Sequence, residues 1–358
     1  MSKESTIKSG ELTTISWEED GVRIIDQTKL PESLEFITCS TYYDIADAIK
    51  KLAIRGAPAI GVAAAMGLAL CAKKSTGPTK TTLLSDLKTA YQILLSTRPT
   101  AINLKWGLDT IMEVALKYDK VEDIKDAVIQ SAINLSREDI AINKRLGGYG
   151  SELIKDGEVV MTHCNAGALA TVSYGTALGV IRSVKQSGKK ISVIATETRP
   201  VMQGSRLTAF ELVHDDIDVS LIPDTAVGHL MANKMIDKVV VGADRILSTG
   251  HVYNKIGTYQ VALLANSHKI PFYVAAPMST FDLKNEISSI IIEERSKDEV
   301  IKIGDKRIAP AGVKIFNPAF DLTPPELISG IITERGVVYP PFKENIAALF
   351  DAKSNMGN

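Results

Sequence analysis

Val159-Val160-Met161-Thr162-His163 leading into Cys164, and Val239-Val240-Val241-Gly242-Ala243 leading into Asp244, are two short apolar runs that each deliver one reactive side chain. A β-branched run that breaks into a Gly, Ala or Asn turn and passes into a helical pattern reads as a parallel strand feeding a helix. In an open α/β sheet, ligands bind outside the carboxyl ends of the strands. A thiol and a carboxylate at two such ends can therefore face one substrate.

Working outward, the same alternation fills the second half of the chain. Strand patterns fall at residues 159–163, 191–196, 218–222, 238–241 and 272–275, with later ones near Val300 and Val313. Helical patterns lie between them near residues 168–185, 205–213, 226–235 and 255–268. The expectation is an α/β chain whose residues 156–358 form a Rossmann-like catalytic domain, a parallel sheet covered on both faces. Upstream, residues 13–25 alternate around Glu19-Asp20-Gly21, a hairpin signal, and residues 34–38 add a third strand. Helical periodicity follows at 43–52, 58–73, 81–96 and 104–117. Residues 1–120 thus read as a smaller α+β domain with a short antiparallel sheet and helices, joined through a long helix over 121–155. Residues 353–358 are expected to fray.

Composition narrows the function classes. The chain has 358 residues, 45% of them hydrophobic, enough to bury a sizeable core. Lys and Arg number 41 against 42 Asp and Glu, so no basic excess points to nucleic acid and any anion site must be local. MSKESTIKSGEL has no apolar signal region, and the apolar stretch at 57–72 reads as too short to span a bilayer, so a cytoplasmic setting without membrane contact is expected. Cys39, Cys71 and Cys164 have no paired spacing, and the five histidines lack metal-ligand spacing, so neither disulfides nor a metal site is expected.

Four small-residue turns carry candidate chemistry. Arg55-Gly56-Ala57-Pro58 places a guanidinium beside a helix start, where Pro58 suits the first turn and unpaired N–H groups favour an anion. Cys164 precedes Asn165-Ala166-Gly167, and a helix opening there would favour its thiolate. His163 points to the opposite face of the strand from its neighbour and reads as a packed histidine. Glu197-Thr198-Arg199-Pro200 with Gln203 supplies an amide suited to sugar hydroxyls, whereas Arg199 reads equally as a phosphate contact or as an ion-pair partner of Glu197. Asp244 sits beside Arg245 yet at a strand end, a setting for a general acid or base. Asn254-Lys255 reads as the opening of another helix, adding an amide and a cation. No GxGxxG or GxSxG occurs, which argues against a dinucleotide cofactor and against a hydrolase.

Taken together, RGAPAIG (55–61), THCNAGALAT (162–171), ETRP with QGSRLTAFEL, GADRI (242–246), NKIGTYQVALLA (254–265), PFYVAAPMSTFD (271–282) and RIAPAGVKIFNPAFDLTP (307–324) resemble the methylthioribose-1-phosphate isomerases. Their superfamily includes the alpha, beta and delta subunits of translation initiation factor 2B. The resemblance runs from about Trp17 to Phe350. It implies conversion of 5-methylthioribose 1-phosphate to 5-methylthioribulose 1-phosphate in methionine salvage, by a homodimer with no cofactor or metal. By motif it implies Cys164 and Asp244 as the catalytic pair, and substrate contacts from Arg55, Gly56, Ala57, Gln203, Asn254 and Lys255. Arg98, in RPTAINLKW (98–106), is a further contact implied only by the resemblance.

The implied chemistry fits these groups. Phosphate on the anomeric oxygen blocks spontaneous ring opening, so an acid must assist C–O cleavage before hydrogen moves between C2 and C1. Two alternatives stand beside this reading. One is a ribose 1,5-bisphosphate isomerase, which would need a second basic cluster; the other is a non-catalytic initiation-factor-like regulatory subunit. 5-Deoxyribose 1-phosphate, which also lacks a second charge, is an expected side substrate. Trp106 and Tyr259 are candidate walls of the methylthio pocket, although such residues more often belong to a core.

Overall fold

A computed structural model describes residues 11–354. It opens with an antiparallel sheet of β1 (Ile15–Glu18), β2 (Gly21–Ile25) and β3 (Phe36–Cys39). Helices α1 (Tyr42–Lys50), α2 (Ala57–Lys74), α3 (Lys80–Leu95), α4 (Ile102–Leu116) and α5 (Val121–Ser151) follow. Thr41 and Thr79 start α1 and α3 through reciprocal caps with Asp44 and Thr82, which satisfies the first unpaired N–H groups. By length and composition α2 could cross a membrane, contrary to the expectation from residues 57–72, but it is the central helix of the N-terminal core. Its small residues explain that position: a Cβ on Gly61 would lie 2.7 Å from the Asn103 carbonyl oxygen, so α2 and α4 cross in backbone contact. Leu83, Leu94, Leu108, Ile111 and Val128 close the core around it.

The second half holds a seven-stranded sheet in the order β16-β15-β10-β7-β4-β5-β6. Its members are β4 (Val159–Thr162), β5 (Ser192–Thr196), β6 (Asp218–Ile222), β7 (Lys238–Val241), β10 (Phe272–Ala275), β15 (Gly330–Thr333) and β16 (Gly336–Val338). All pairings are parallel except the β15–β16 edge hairpin. Helices α6 (Ala177–Gln186), α7 (Ala209–His214), α8 (Val227–Ala232), α9 (Thr258–Ser267) and α11 (Phe342–Ser354) accompany it. A smaller sheet joins β8 (Arg245–Leu247), β9 (Val252–Lys255), β11 (Phe281–Asp282) and β14 (Phe320–Thr323). Between β11 and β14 lie α10 (Asp298–Ile301) and the hairpin of β12 (Lys302–Ile303) and β13 (Lys306–Arg307). The early half of α5 packs in the N-terminal core through Ile124 and Val128, whereas Leu146 joins the core of α6, β4 and β5.

Several expectations are corrected. The segments expected near Val300 and Val313 add no strand to the large sheet: Val300 itself lies in α10, just before the two-residue β12 of a separate hairpin, Val313 lies in no regular element, and the remaining strands of the large sheet are β15 and β16. The helix expected from residue 168 is a single 3-10 turn, Ala168–Ala170, and α6 begins only at Ala177, because Tyr174 and Gly175 take positive φ between them. Asn254 and Lys255 close strand β9 rather than open a helix, and β7 passes into β8 rather than into a helix. Of the tail expected to fray, α11 runs through Ser354, and residues 355–358 lie outside the described residues, as do the first ten of the N-terminal stretch read for a signal.

Topology marks one place where a ligand would sit by default. From β4 the chain adds β5 and β6 on one side; it then returns to place β7, β10 and β15 on the other. The order reverses between β4 and β7, and the crevice at such a switch point is the default ligand site of an open α/β sheet. Cys164 and Asp244 follow those two strands.

Candidate active site

Beyond these strand ends lies a cavity of about 220 Å³. Cys164, Asp244, Arg55, Gly56, Ala57, Arg98, Gln203, Asn254 and Lys255 all line it, although they come from separate segments of the chain. Gly56 has φ +94°, open to glycine, and a Cβ there would lie 2.6 Å from the Ala170 Cβ. That contact seats the start of α2 against the loop after Cys164. No side chain caps this helix, so its first N–H groups face the cavity beside Arg55.

Cys164 is held in a left-handed conformation, φ +65°, uncommon for a residue with a side chain. Its N–H donates to Thr198 Oγ1 at 2.9 Å, and its carbonyl accepts from Thr208 Oγ1 at 2.6 Å. Below it, Asn165 Nδ2 donates to the buried Glu211 carboxylate at 2.8 Å, while Arg55 Nη2 donates to Asn165 Oδ1 at 3.0 Å and to its carbonyl at 2.8 Å. Glu211 also accepts from the Ala168 and Leu169 N–H groups and from Arg182, which fixes the whole loop. The expected thiolate is corrected here. With no helix starting at Cys164, desolvation dominates and pushes its pKa up, against the opposing fields of Arg55 and Lys255. The group is a neutral thiol. Cys39 and Cys71 are buried packing residues, each pushed up to about 12 mainly by burial.

Burial also raises the Asp244 pKa above the ordinary carboxylate value, while Lys255, Arg98 and Arg55 pull it down by less. The alternative of an Asp244–Arg245 pair is ruled out by geometry: Arg245 donates to Asp282 at 3.0 Å and to the Thr100 carbonyl at 2.8 Å. Lys255 is buried, donates to the Ala319 carbonyl at 3.1 Å and lies 4.8 Å from the centre of the Phe320 ring. Its pKa is lowered by desolvation, with Cys164 and Asp244 acting in the opposite direction. Asn254 is oriented by Thr258 Oγ1 at 3.0 Å. Gln203 lines the cavity and is buried, and its Oε1 has no hydrogen-bond partner.

His163 is the packed residue expected. Its Nε2 meets the Ile256 carbonyl at 2.9 Å, so that nitrogen carries the proton, and Nδ1 accepts from Thr196 at 2.6 Å. Arg199 is outside the cavity wall; it donates to the Val300 carbonyl at 3.0 Å, and its N–H joins that of Thr198 on Asp224. Trp106 and Tyr259 are each 40% exposed and neither lines the cavity, so both the pocket and the core reading fail for them. Sequence reasoning missed Arg295; Arg206, the second guanidinium of the turn that carries Arg199 and Gln203, lines the wall with it, and both add positive charge. Arg206 is committed to the Gln27 and Leu30 carbonyls, and Arg295 to Glu299 at 2.6 Å. Arg98 pairs with Glu293 at 2.8 Å. The arrangement offers an excess of cations for an anionic ligand, an acid in Asp244, a neutral thiol and an unfilled amide acceptor.

Comparison with known proteins places this geometry in a family. The model of the initiation factor 2 subunit family matches residues 53–340. A methylthioribose-1-phosphate isomerase of Thermosipho africanus is 52% identical over 339 residues, covering 94% of this chain and 98% of the relative. Among solved structures, 5-methylthioribose 1-phosphate isomerase from Pyrococcus horikoshii OT3 superposes with a TM-score of 0.89 at 44% identity, covering 95% of this chain and 96% of that one. A chain from A. fulgidus described as translation initiation factor eIF-2B subunit delta gives 0.85 at 51% identity, covering 95% and 99%. The chain belongs to the initiation factor 2 subunit family, on the branch whose relatives carry the name methylthioribose-1-phosphate isomerase.

Proposed function

We propose that the chain isomerises 5-methylthioribose 1-phosphate to 5-methylthioribulose 1-phosphate, a step of methionine salvage. The observation that carries this is the convergence of Cys164 and Asp244, both with pKa raised by burial, with the anion-binding start of α2 in one cavity. The N–H groups near Gly56 and Ala57, with Arg55 and Lys255, bind the phosphate; Gln203 and Asn254 take ring hydroxyls. Asp244 gives its proton to the ring oxygen as the C1–O bond breaks. It recovers one from the C2 hydroxyl as the ketone forms, and hydrogen moves from C2 to C1 beside the Cys164 thiol in a site that excludes water. Solvent deuterium at product C1 marks a proton route, and retention of the substrate hydrogen marks a hydride route. A homodimer in the cytoplasm belongs to the same reading.

The test is turnover of purified chain with 5-methylthioribose 1-phosphate and with ribose 1,5-bisphosphate, followed by NMR of the ketose. Turnover of the first alone is expected. Turnover of neither overturns the reading in favour of a non-catalytic subunit, the alternative to which the description of the A. fulgidus structure points. A second expected outcome concerns Gly56→Ala. Left-handed backbone and overpacking against Ala170 together cost about 2–5 kcal/mol. Denaturant unfolding reads that loss; KM for the sugar phosphate is expected to rise more than tenfold as the start of α2 shifts, and an unchanged KM removes Gly56 from the phosphate site.

A further inference from the structure

His163 is a buried titratable group that the proposed chemistry does not use, yet its ring lies between two parts that do act. It precedes Cys164 at the end of β4, and its Nε2 reaches the carbonyl of Ile256, the residue after Lys255 at the end of β9. We infer that His163 is a positioning residue, which sets the main chain of Cys164 against that of Lys255 through a one-way chain of hydrogen bonds. The inference rests on the proposed isomerase reading.

One carbonyl decides the direction of that chain. Ile256 can only accept, so His163 Nε2 carries the proton and Nδ1 keeps its lone pair. Thr196 must then donate its hydroxyl hydrogen to Nδ1, at 2.6 Å. With that hydrogen spent, Thr198 is the donor toward Thr196, whose hydroxyl and carbonyl oxygens both lie 3.3 Å away. The Thr198 lone pairs are left for the Cys164 N–H at 2.9 Å. The links therefore all run from Cys164 toward Ile256, and His163 and both threonines in them are buried. Desolvation lowers the His163 pKa, which keeps the ring neutral and Nδ1 an acceptor.

Backbone strain gives the chain work to do at both ends. Cys164 and Thr198 have φ +65° and +63°, uncommon outside glycine, and the bond between them holds both. At the other end Gly257, with φ +101°, lets the chain after Lys255 lie against the ring: a Cβ there would be 3.0 Å from Cε1 and Nε2. The groups proposed to hold phosphate are anchored elsewhere. Arg55 rests on Asn165, itself bonded to Glu211, and the Lys255 ammonium rests on the Ala319 carbonyl, which also accepts the Ile256 N–H at 3.0 Å. Cutting the chain thus frees Cys164 relative to Lys255 and leaves the phosphate contacts in place.

Steady-state kinetics with 5-methylthioribose 1-phosphate test the assignment in three variants. His163→Asn keeps an acceptor near Nδ1 and loses the Ile256 link; His163→Gln keeps a donor near Nε2 and loses the Thr196 link; His163→Phe keeps a ring without either nitrogen. Each is expected to lower kcat about ten- to a hundredfold, the scale of a small misplacement of a reacting group, with KM within about threefold of the parent. Near-parent kcat in any folded variant shows that a filled space suffices and overturns the inference, and so does a KM that rises in step with the fall in kcat. Thr198→Val removes the acceptor of the Cys164 N–H without touching the ring, and is expected to reproduce the loss even where a His163 variant does not fold. In the double variant Thr198→Val/His163→Asn the loss is expected to equal that of the worse single variant, because one chain is cut twice. Losses that multiply mark independent packing defects and overturn the chain. Absence of turnover by the parent overturns the isomerase reading instead, so the two failures are distinct.

Discussion

Asp244→Asn is expected to lower kcat by about 10²–10⁴-fold, the usual contribution of a positioned general acid, with little change in KM. The substitution keeps shape and removes the exchangeable acid proton. Desolvation raises the Asp244 pKa above its ordinary value, so over that window the group is uncharged and asparagine matches its charge before the anionic substrate. The pH dependence follows by sign. The acid works only while protonated, so kcat of the parent chain falls as pH rises through the raised pKa, and that limb is absent in the variant. Stability moves the other way. A carboxyl whose folded pKa lies above its unfolded value of about 3.9 contributes stability that is fully present below the unfolded value and is lost as pH rises through the folded one. The neutral amide carries no such loss, so thermal unfolding at pH 7 should show the variant at least as stable as the parent. Near-parent kcat in a folded Asp244→Asn protein removes Asp244 from the chemistry.

How much of this was legible in the sequence depends on how far each feature is decided locally. Strands β4 and β7 are continuous apolar runs at the middle of a parallel sheet, and their β-branched residues ending in small-residue turns reveal them. Strand β15 is no shorter than β4 or β7, but its apolar content is two isoleucines between Gly330 and Thr333, and β16 has only three residues, so neither presents a continuous apolar run. The helix misread from residue 168 has apolar spacing throughout its ATVSYGTALGV stretch, but the chain is broken there by Tyr174 and Gly175 in positive φ, with Thr171 Oγ1 receiving the Gly175 N–H at 3.2 Å. That tertiary break shifted the expected charge state of Cys164, because a helix start 13 residues downstream contributes no dipole at the sulfur.

The polar wall shows the same division. Gln203 and Asn254 were readable as amides at small-residue turns, whereas Arg295 lies in the run Glu293-Glu294-Arg295, which carries no motif. Glu293 pairs with Arg98, 195 residues earlier, and its other oxygen lies 3.7 Å from Arg295. Arg98 itself entered only through family resemblance. A cation's role in such a site is set by which carboxylates remain unspent around it, and pairing over that distance leaves no local trace.

Cys164→Ser is expected to lower kcat at least 10²-fold, the scale of losing one preorganised stabilising group, while KM and the unfolding midpoint hold. Serine keeps a hydroxyl donor at the same position, and Thr198 and Thr208 hold the main chain of residue 164 whatever its side chain. What changes is acidity and polarisability, which a group relaying hydrogen between C2 and C1 needs and a packing residue does not. Cys164→Ala, which removes the donor as well, is expected to fall to a similar level. A serine variant with near-parent kcat overturns the assignment, since packing or simple hydrogen bonding would then suffice. The charge state supplies an independent check. Because burial outweighs the fields of Arg55 and Lys255, the thiol stays protonated at neutral pH. Alkylation of Cys164 by iodoacetamide is therefore expected to be slower than that of a free thiol at pH 7–8, the range just below the ordinary cysteine pKa of about 8.5, and to accelerate only above it. Rapid labelling at neutral pH would restore the nucleophilic thiolate and with it a covalent route, which a neutral thiol does not require.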